Sequence, residues 1–305
     1  MIKYEDIDAI NYSTLKLFDK SAAYAQHMID HPDERQDKAH LLRGRAIHCA
    51  ILEPEKFRTR YTVPPEFFDC AIFGDEVIEQ PAFGDLRYKE PKRLKREWIS
   101  NLPDGARVLK ASEVKNEWYE NLPDGTEVLS GADYQLSVRC SGAVQRHQES
   151  RELLNGAETE KVIEWTCNGR VRCKSRLDAL TDRVIDIKTT RHFDIPTIER
   201  EIAKYNYHAH MAFYQDAAVS TGLIKDQEDK QPCLIFVCCD PKSSFVDIVS
   251  FELNMGVIAA GRELYQRWMA TYYGSKRTGM YPGACDKRVF YVLPDWKVRE
   301  AFGDE

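Results

Sequence analysis

The sequence lacks the marks of several common protein classes. Its nine cysteines are odd in number and form no Cys-x-x-Cys pair. That excludes a disulfide framework and a four-cysteine zinc site, and it fits a reducing cytoplasm. No apolar run is long enough to span a membrane; stretches such as Pro232 to Cys239 are far too short. The opening Met1-Ile2-Lys3-Tyr4-Glu5-Asp6 carries no apolar stretch of the kind a secretory signal needs. There is no Gly-x-Gly-x-x-Gly, no P-loop and no Gly-x-Ser-x-Gly, so a metabolic α/β enzyme has no motif to support it. An excess of positive charge is missing as well, the formal net charge being −6. That sum does not decide against a nucleic-acid partner, because the distribution of charge matters more than its total.

What is present is an ordinary soluble composition, 43% apolar and 30% charged over 305 residues, enough to bury a sizeable core. Residues 11–60 read as helical. Ser13 is placed to cap a helix from Thr14, with Leu15, Phe18 and Ala22 on one face. A second helix spans about Lys38 to Leu52, with Leu41, Leu42, Ile47 and Ile51 apolar and Pro54 just beyond its end. Residues 60–150 are the least regular. They hold an echo, Asn101-Leu-Pro-Asp-Gly-Ala-Arg-Val-Leu109 recurring as Asn121-Leu-Pro-Asp-Gly-Thr-Glu-Val-Leu129, which predicts two similar turns each leading into a short extended segment. A helix is predicted from Gly131 to Leu154, with Tyr134, Val138, Ala143 and Val144 buried. Glu160 to Thr166, Arg170 to Leu180 and Arg183 to Thr189 then read as three strands in a meander. A long helix follows over Ile198 to Ser220, then strands Cys233 to Cys239 and Phe245 to Phe251, and a closing helix Gly256 to Tyr273. The expected architecture is a single α/β domain over 1–305: N-terminal helices through residue 60, an insertion over 60–150, a central mixed sheet with helices over 151–273, and a tail over 274–305.

The chemistry-bearing stretch runs Arg170-Val-Arg-Cys-Lys-Ser-Arg-Leu-Asp178-Ala-Leu-Thr-Asp-Arg-Val-Ile-Asp186-Ile-Lys188. Side chains alternate along a strand, so Arg170, Arg172, Lys174, Arg176 and Asp178 share one face: four cations leading to one carboxylate, a phosphate track ending at a metal ligand. On the next strand Asp186 and Lys188 share a face, and a turn near Thr181-Asp182 brings Asp178 and Asp186 together. Two close carboxylates stay ionised most readily around a cation, and oxygen ligands without cysteine select Mg²⁺, or Mn²⁺ in its place. A lysine two residues on can orient water and stabilise phosphate charge. Asp-x-Lys alone is weak, since Asp240-Pro-Lys242 and Asp295-Trp-Lys297 also match, each beside a proline.

Further features add weight. His48 sits in Gly44-Arg45-Ala46-Ile47-His48 on the second helix, where a core histidine is the bland alternative. Glu160 opens the strand before the basic one, with Glu158 and Glu164 competing for its role. His210 and Tyr214 lie one turn apart on the long helix, where aromatic stripes are usually core packing. Arg87 to Arg96, including Lys92 and Arg93, is a basic run suited to DNA phosphates or to a solvated helix end; Lys287-Arg288 and Lys297 with Arg299 are weaker candidates.

Taken in order, Gly44 to His48 with Ile51-Leu-Glu-Pro54, the Glu160 strand ending in Trp165, Arg176-Leu-Asp178, Val184-Ile-Asp-Ile-Lys-Thr-Thr190, Tyr205 to Tyr214, Tyr281-Pro-Gly283 and Leu293-Pro-Asp-Trp296 resemble the exonuclease VIII (RecE-type) nuclease family of phages and prophages, a branch of the PD-(D/E)XK superfamily. The resemblance spans most of the chain and is weakest over 60–130. It implies a PD-(D/E)XK core with N-terminal helical additions. It also implies His48, Asp178, Asp186 and the carbonyl of Ile187 as metal ligands, Lys188 as the catalytic lysine and Glu160 as an additional acid. Where the family has glutamine this chain has His210, followed by the matching Tyr214. The implied activity is digestion of linear double-stranded DNA from the 5′ end, leaving a 3′ strand for an annealing protein of the RecT type, by a ring-shaped homo-oligomer in a bacterial host's cytoplasm. A RecB-like or CRISPR-adaptation nuclease is the nearest rival. Many of those carry an iron–sulfur cluster, for which one cysteine, Cys285, in the last sixty residues is too few. A catalytically silent DNA-binding module of the same fold is the rival from another class.

Overall fold

Three antiparallel strands open the main sheet of this chain, seen in a computed structural model that describes residues 4–34, 39–225, 227, 229–285, 288–289, 291–294, 297 and 299–300. They are β1 (Glu158–Cys167), β2 (Val171–Leu180) and β3 (Val184–Thr190). β4 (Cys233–Cys239) pairs parallel with β3, and β5 (Val246–Glu252) pairs antiparallel with β4, so the order across the sheet is β5-β4-β3-β2-β1. One parallel pair within an antiparallel sheet requires a crossover between β3 and β4. Helices supply it. The mixed sheet flanked by helices agrees with the expected fold class.

The chain groups into two compact units, Met1–Pro54 with Leu136–Glu305, and Glu55–Gln135. The larger unit carries the five-stranded sheet. One core lies on the sheet face that holds Trp165, Cys173 and Leu177, packed by Leu15, Phe18, Phe213, Tyr265 and Trp268. The other face holds Ala179, Ile185, Ile187, Ile235 and Val237, packed by Ile47, Leu136, Cys140 and Val144. Every residue of β4 is buried, as expected of a central strand covered on both faces.

The helices of this unit are α1 (Tyr12–Leu15), α2 (Ala22–Asp30), α3 (Ala39–Leu52), α4 (Gly131–Arg146, whose first turn belongs to the smaller unit), α5 (Gln148–Leu153), α6 (Ile195–Lys204), α7 (Tyr207–Ser220) and α8 (Met255–Thr278). Several predicted boundaries change, each for a local reason. The cap of α1 is Asn11, whose Oδ1 accepts from the Thr14 amide (2.8 Å), while Ser13 only donates its hydroxyl to that same oxygen. The predicted helix over 198–220 is two helices, because Asn206 adopts φ +57°, a left-handed conformation that asparagine tolerates better than most residues. The helix predicted over 131–154 breaks at His147, which caps α5 by accepting from the Ser150 amide. Val138 is exposed, the buried stripe of α4 running through Leu136, Cys140, Ala143 and Val144 instead. The closing helix continues beyond Tyr273 to Gly279, whose φ of +70° ends it.

The smaller unit is more regular than its sequence suggests. It contains a three-stranded antiparallel sheet (Glu76–Glu79, Cys70–Phe73, Arg107–Leu109), helices Lys89–Ser100 and Ala111–Glu120, and a parallel pair of Tyr61–Thr62 with Glu127–Val128. The two Pro-Asp-Gly copies behave as predicted. Gly105 and Gly125 sit at φ +86° and +81°, and each turn leads into a short strand. Lys287, Asp295 and Trp296 lie outside the described residues.

Gly261 marks the closest approach of α8 to α7, since a Cβ there would stand 2.3 Å from the His208 carbonyl oxygen, an atom of the backbone. Gly261→Ala is therefore expected to force the helices apart and destabilise the protein by about 1–3 kcal/mol, the usual cost of overpacking. Urea denaturation checks this; an unchanged midpoint would mean that the α7–α8 crossing yields without cost.

Candidate active site

The β2–β3 hairpin puts two acids face to face. Ala179 pairs with Ile185 and Leu180 with Val184, so the register continued by one step sets Asp178 opposite Asp186. Asp178 Oδ2 accepts from the Ile187 amide at 2.8 Å, and His48 Nδ1, from α3, lies 3.4 Å from the same oxygen. Asp186 is 1% exposed and carries the Lys188 ammonium against Oδ2, with His210 Nδ1 of α7 3.8 Å from Oδ1. Glu160, on β1, stands opposite Asp178 of β2, between the pairs Thr159 with Ala179 and Lys161 with Leu177. Its φ of +51° is strained for a glutamate, and its carboxylate meets Arg176 Nε at 3.1 Å. The structure thus brings His48, Glu160, Asp178, Asp186, Ile187, Lys188 and His210 together from two helices and three strands. Tyr214 packs against His210 with its ring tilted by 56°, the centroids 4.1 Å apart.

Burial sets the protonation of this cluster. It pushes the Asp178 carboxyl up to about 7, helped by the charge of Asp186 and opposed by Lys188. Burial also pushes Asp186 upward, but the Lys188 ammonium outweighs it and holds that carboxyl below its ordinary range. For Lys188 the signs invert: burial lowers it, and Asp186 with Asp178 raise it further, so the ammonium stays charged. Burial depresses His48 to about 4, with Lys188 adding to the effect, and His210 to about 3 against the pull of Asp186. Both imidazoles are neutral at physiological pH and keep a lone pair for a ligand or a cation.

These donors fit a hard divalent cation. They are carboxylates, an imidazole and a backbone carbonyl, with no thiolate among them. Asp186 Oδ2 is a buried oxygen with no well-aligned hydrogen-bond donor, only the Lys188 ammonium beside it. Among the described residues, no three imidazole or carboxylate ligand atoms of this cluster lie within 4.8 Å of one another. The positive charge beside the acids is that of Lys188.

The basic face of β2 is not a uniform track. Lys174 is buried, and its ammonium donates to the carbonyls of Tyr4 (2.7 Å), Ile7 (2.9 Å) and Glu5 (3.3 Å). That corrects its expected place among the phosphate contacts: the N-terminal segment covers it. Arg172 pairs with Glu164, Arg176 with Glu160, and Arg170 lies over the Tyr273 ring; all three remain solvent-facing. Lys92 and Arg93 belong to the smaller unit, where Arg93 is held between Glu90 and Glu97 and Lys92 is exposed.

Sequence reasoning missed a cleft of about 350 Å³ beside Lys188, lined by Tyr12, Lys16, Tyr205, Tyr207, His210 and Tyr214 among others. Lys16 Nζ donates to the Tyr205 carbonyl (2.6 Å), and Tyr12 stacks on His210 with centroids 4.4 Å apart. Nothing in the spacing of residues 11–20 signals this, because α1 reaches the site only through the tertiary fold.

A family model described as a PDDEXK-like domain of unknown function (DUF3799) matches residues 11–290. The crystal structure of a "Putative exonuclease" from Eubacterium rectale superposes with a TM-score of 0.53 at 9% identity, covering 98% of each chain, a likeness of fold. No curated protein matches the chain.

The raised Asp178 carboxyl predicts a pH effect on stability without metal. In this pH range the native state binds a proton at Asp178 that the unfolded state has released. This residue's contribution is therefore present below its unfolded value near 3.8 and is lost as pH rises through about 7. Relative to wild type, metal-free Asp178→Asn should gain stability between pH 4 and pH 7, by about 1.4 kcal/mol for each whole step in pH. Melting curves across that range check it; parallel curves for the two proteins would contradict the assignment.

Proposed function

The chain belongs to the PDDEXK-like domain family DUF3799, and from that membership we propose that it is a divalent-metal-dependent deoxyribonuclease acting at the Asp178–Asp186 pair. The observation that carries the reading is the pairing of buried Asp186 with half-buried Asp178 at one end of a hairpin, with Lys188 on the first and His48 on the second. A solvated ion pair on a strand face would need none of this burial, and burying carboxylates is costly without a cation to share.

His48, Asp178, Asp186 and the Ile187 carbonyl would hold Mg²⁺, for which Mn²⁺ can substitute. When bound, the ion lowers the pKa of a coordinated water and neutralises charge on the leaving oxygen. The chain's own groups do the rest. Lys188, kept charged by the acids, donates to a non-bridging phosphate oxygen or aligns the attacking water. Glu160, neutralised by Arg176, supplies an additional acid at the edge of the site. Tyr12, Tyr207 and Lys16 wall the cleft beside Lys188 and suit a nucleotide's sugar and phosphate. Arg170, Arg172 and Arg176 form the phosphate track along β2, and Lys92 with Arg93 are further candidates for the DNA backbone.

The order of motifs shared with the exonuclease VIII family supports a finer reading. In it the enzyme is a 5′→3′ exonuclease on linear duplex DNA, serving recombination by annealing with a single-strand annealing protein, as a ring-shaped homo-oligomer in a bacterial host's cytoplasm. Among the described residues, no helix is long and apolar enough to cross a membrane.

Digestion of end-labelled linear duplex beside a covalently closed circle, with Mg²⁺ and with EDTA, tests both levels. Metal-dependent loss from the 5′ ends with the circle spared is the expected result. Cutting of the circle would point to an endonuclease; no cutting of either would favour a silent binding module. Asp186→Asn and Lys188→Ala are each expected to lower turnover by about 10²–10³-fold or more with the circular-dichroism spectrum retained. Activity surviving in both would overturn the assignment.

A further inference from the structure

We propose that His27, His31 and Glu34 form a second metal site, one built for a transition ion such as Zn²⁺ and used to clip the end of α2 to the turn that follows it. The sequence here reads His27-Met-Ile-Asp-His31-Pro-Asp-Glu34. His27 lies in the last turn of α2, His31 is the residue that ends the helix, and Glu34 closes the 3₁₀ turn Pro32–Glu34. Residues four apart in a helix stand one above the other, and the two imidazoles stack with centroids 4.4 Å apart and planes 25° from parallel. Pro32 prevents the helix from continuing, so the chain turns and brings Glu34 back to His27.

The nitrogens are sorted for coordination. His31 Nδ1 lies 2.9 Å from the His27 carbonyl oxygen. A carbonyl only accepts, so this nitrogen carries the proton and Nε2 carries the lone pair. Metal-ligating histidines are usually oriented in this way, the far N–H tied to a carbonyl. His27 Nε2 faces Glu34 Oε2 at 3.0 Å. One ligand atom from each of the three residues lies within 4.8 Å of the other two, a closeness no other trio reaches among the described residues. All three are exposed, which leaves water to complete the coordination.

An ordinary surface ion pair accounts for the His27–Glu34 contact, but not for a third donor with its Nδ1 already tied to the backbone. Two imidazoles and one carboxylate are the donor set of many zinc sites and a poor set for Mg²⁺, which prefers oxygen and its own waters. The proposal does not depend on the nuclease reading.

Equilibrium dialysis of the EDTA-stripped full chain against Zn²⁺, with Mg²⁺ in large excess to occupy the Asp178–Asp186 pair, gives the test. Wild type is expected to retain one more Zn²⁺ per chain than His27→Ala/His31→Ala, with retention reduced in Glu34→Gln. In the same Mg²⁺ excess, Zn²⁺ should raise the melting temperature of wild type by more than that of the double variant. Co²⁺ in its place, again with Mg²⁺ in excess, should give visible d–d bands that are stronger in wild type than in the double variant. Equal Zn²⁺ retention by wild type and the double variant, or none by either, would overturn the proposal.

Discussion

Two carboxylates set face to face, Asp186 buried and Asp178 half-buried, are the constraint around which the larger unit is arranged. Asp178 and Asp186 meet because β2 and β3 form a tight antiparallel hairpin, and the hairpin persists because Ile185 and Ile187 anchor the far side of β3 in a core. Like charges in a medium of low dielectric repel strongly, so positive charge has to be supplied nearby. Lys188 supplies it from two residues along the same strand, His48 turns a neutral imidazole toward Asp178 from α3, and His210 does the same toward Asp186 from α7. The elements on either side of the sheet each contribute a residue to this one end. The site is thus a consequence of the layered fold, not an addition to its surface.

The same electrostatics explain which cations are available to a substrate. Lys174 and Arg176 share a strand face and differ by two residues, yet their fates diverge. The carbonyls of Tyr4, Glu5 and Ile7 hold the Lys174 ammonium, whereas Arg176 remains solvent-facing beside Glu160. Alternation along a strand states which side a residue faces, and the returning N-terminal segment decides whether that side is open. The net charge of −6 is distributed unevenly, with acids gathered at the Asp178–Asp186 end and arginines along β2.

Much of this was legible in the sequence because it is local. The bounds of β4 follow from its unbroken apolar run, and the opposition of Asp178 and Asp186 follows from hairpin arithmetic. The Pro-Asp-Gly turns carry their own backbone signal at Gly105 and Gly125. What the sequence hid is non-local or rests on a single backbone angle. Asn206 divides a helix whose apolar pattern continues through the break, and His147 does the same between α4 and α5. Tyr12 and Lys16 join the site from nearly two hundred residues away, which no periodicity encodes. The inserted unit reads as irregular because its strands are too short for alternation to show.

Mn²⁺ binding followed by electron paramagnetic resonance tests the central claim, that the Asp178–Asp186 pair is a metal site whose charge Lys188 balances when no ion is present. The account predicts that Asp186→Asn abolishes the bound-Mn²⁺ signal, whereas Lys188→Met retains it with equal or higher affinity. Undiminished binding in Asp186→Asn would contradict it, and would place the metal, if there is one, elsewhere in the chain.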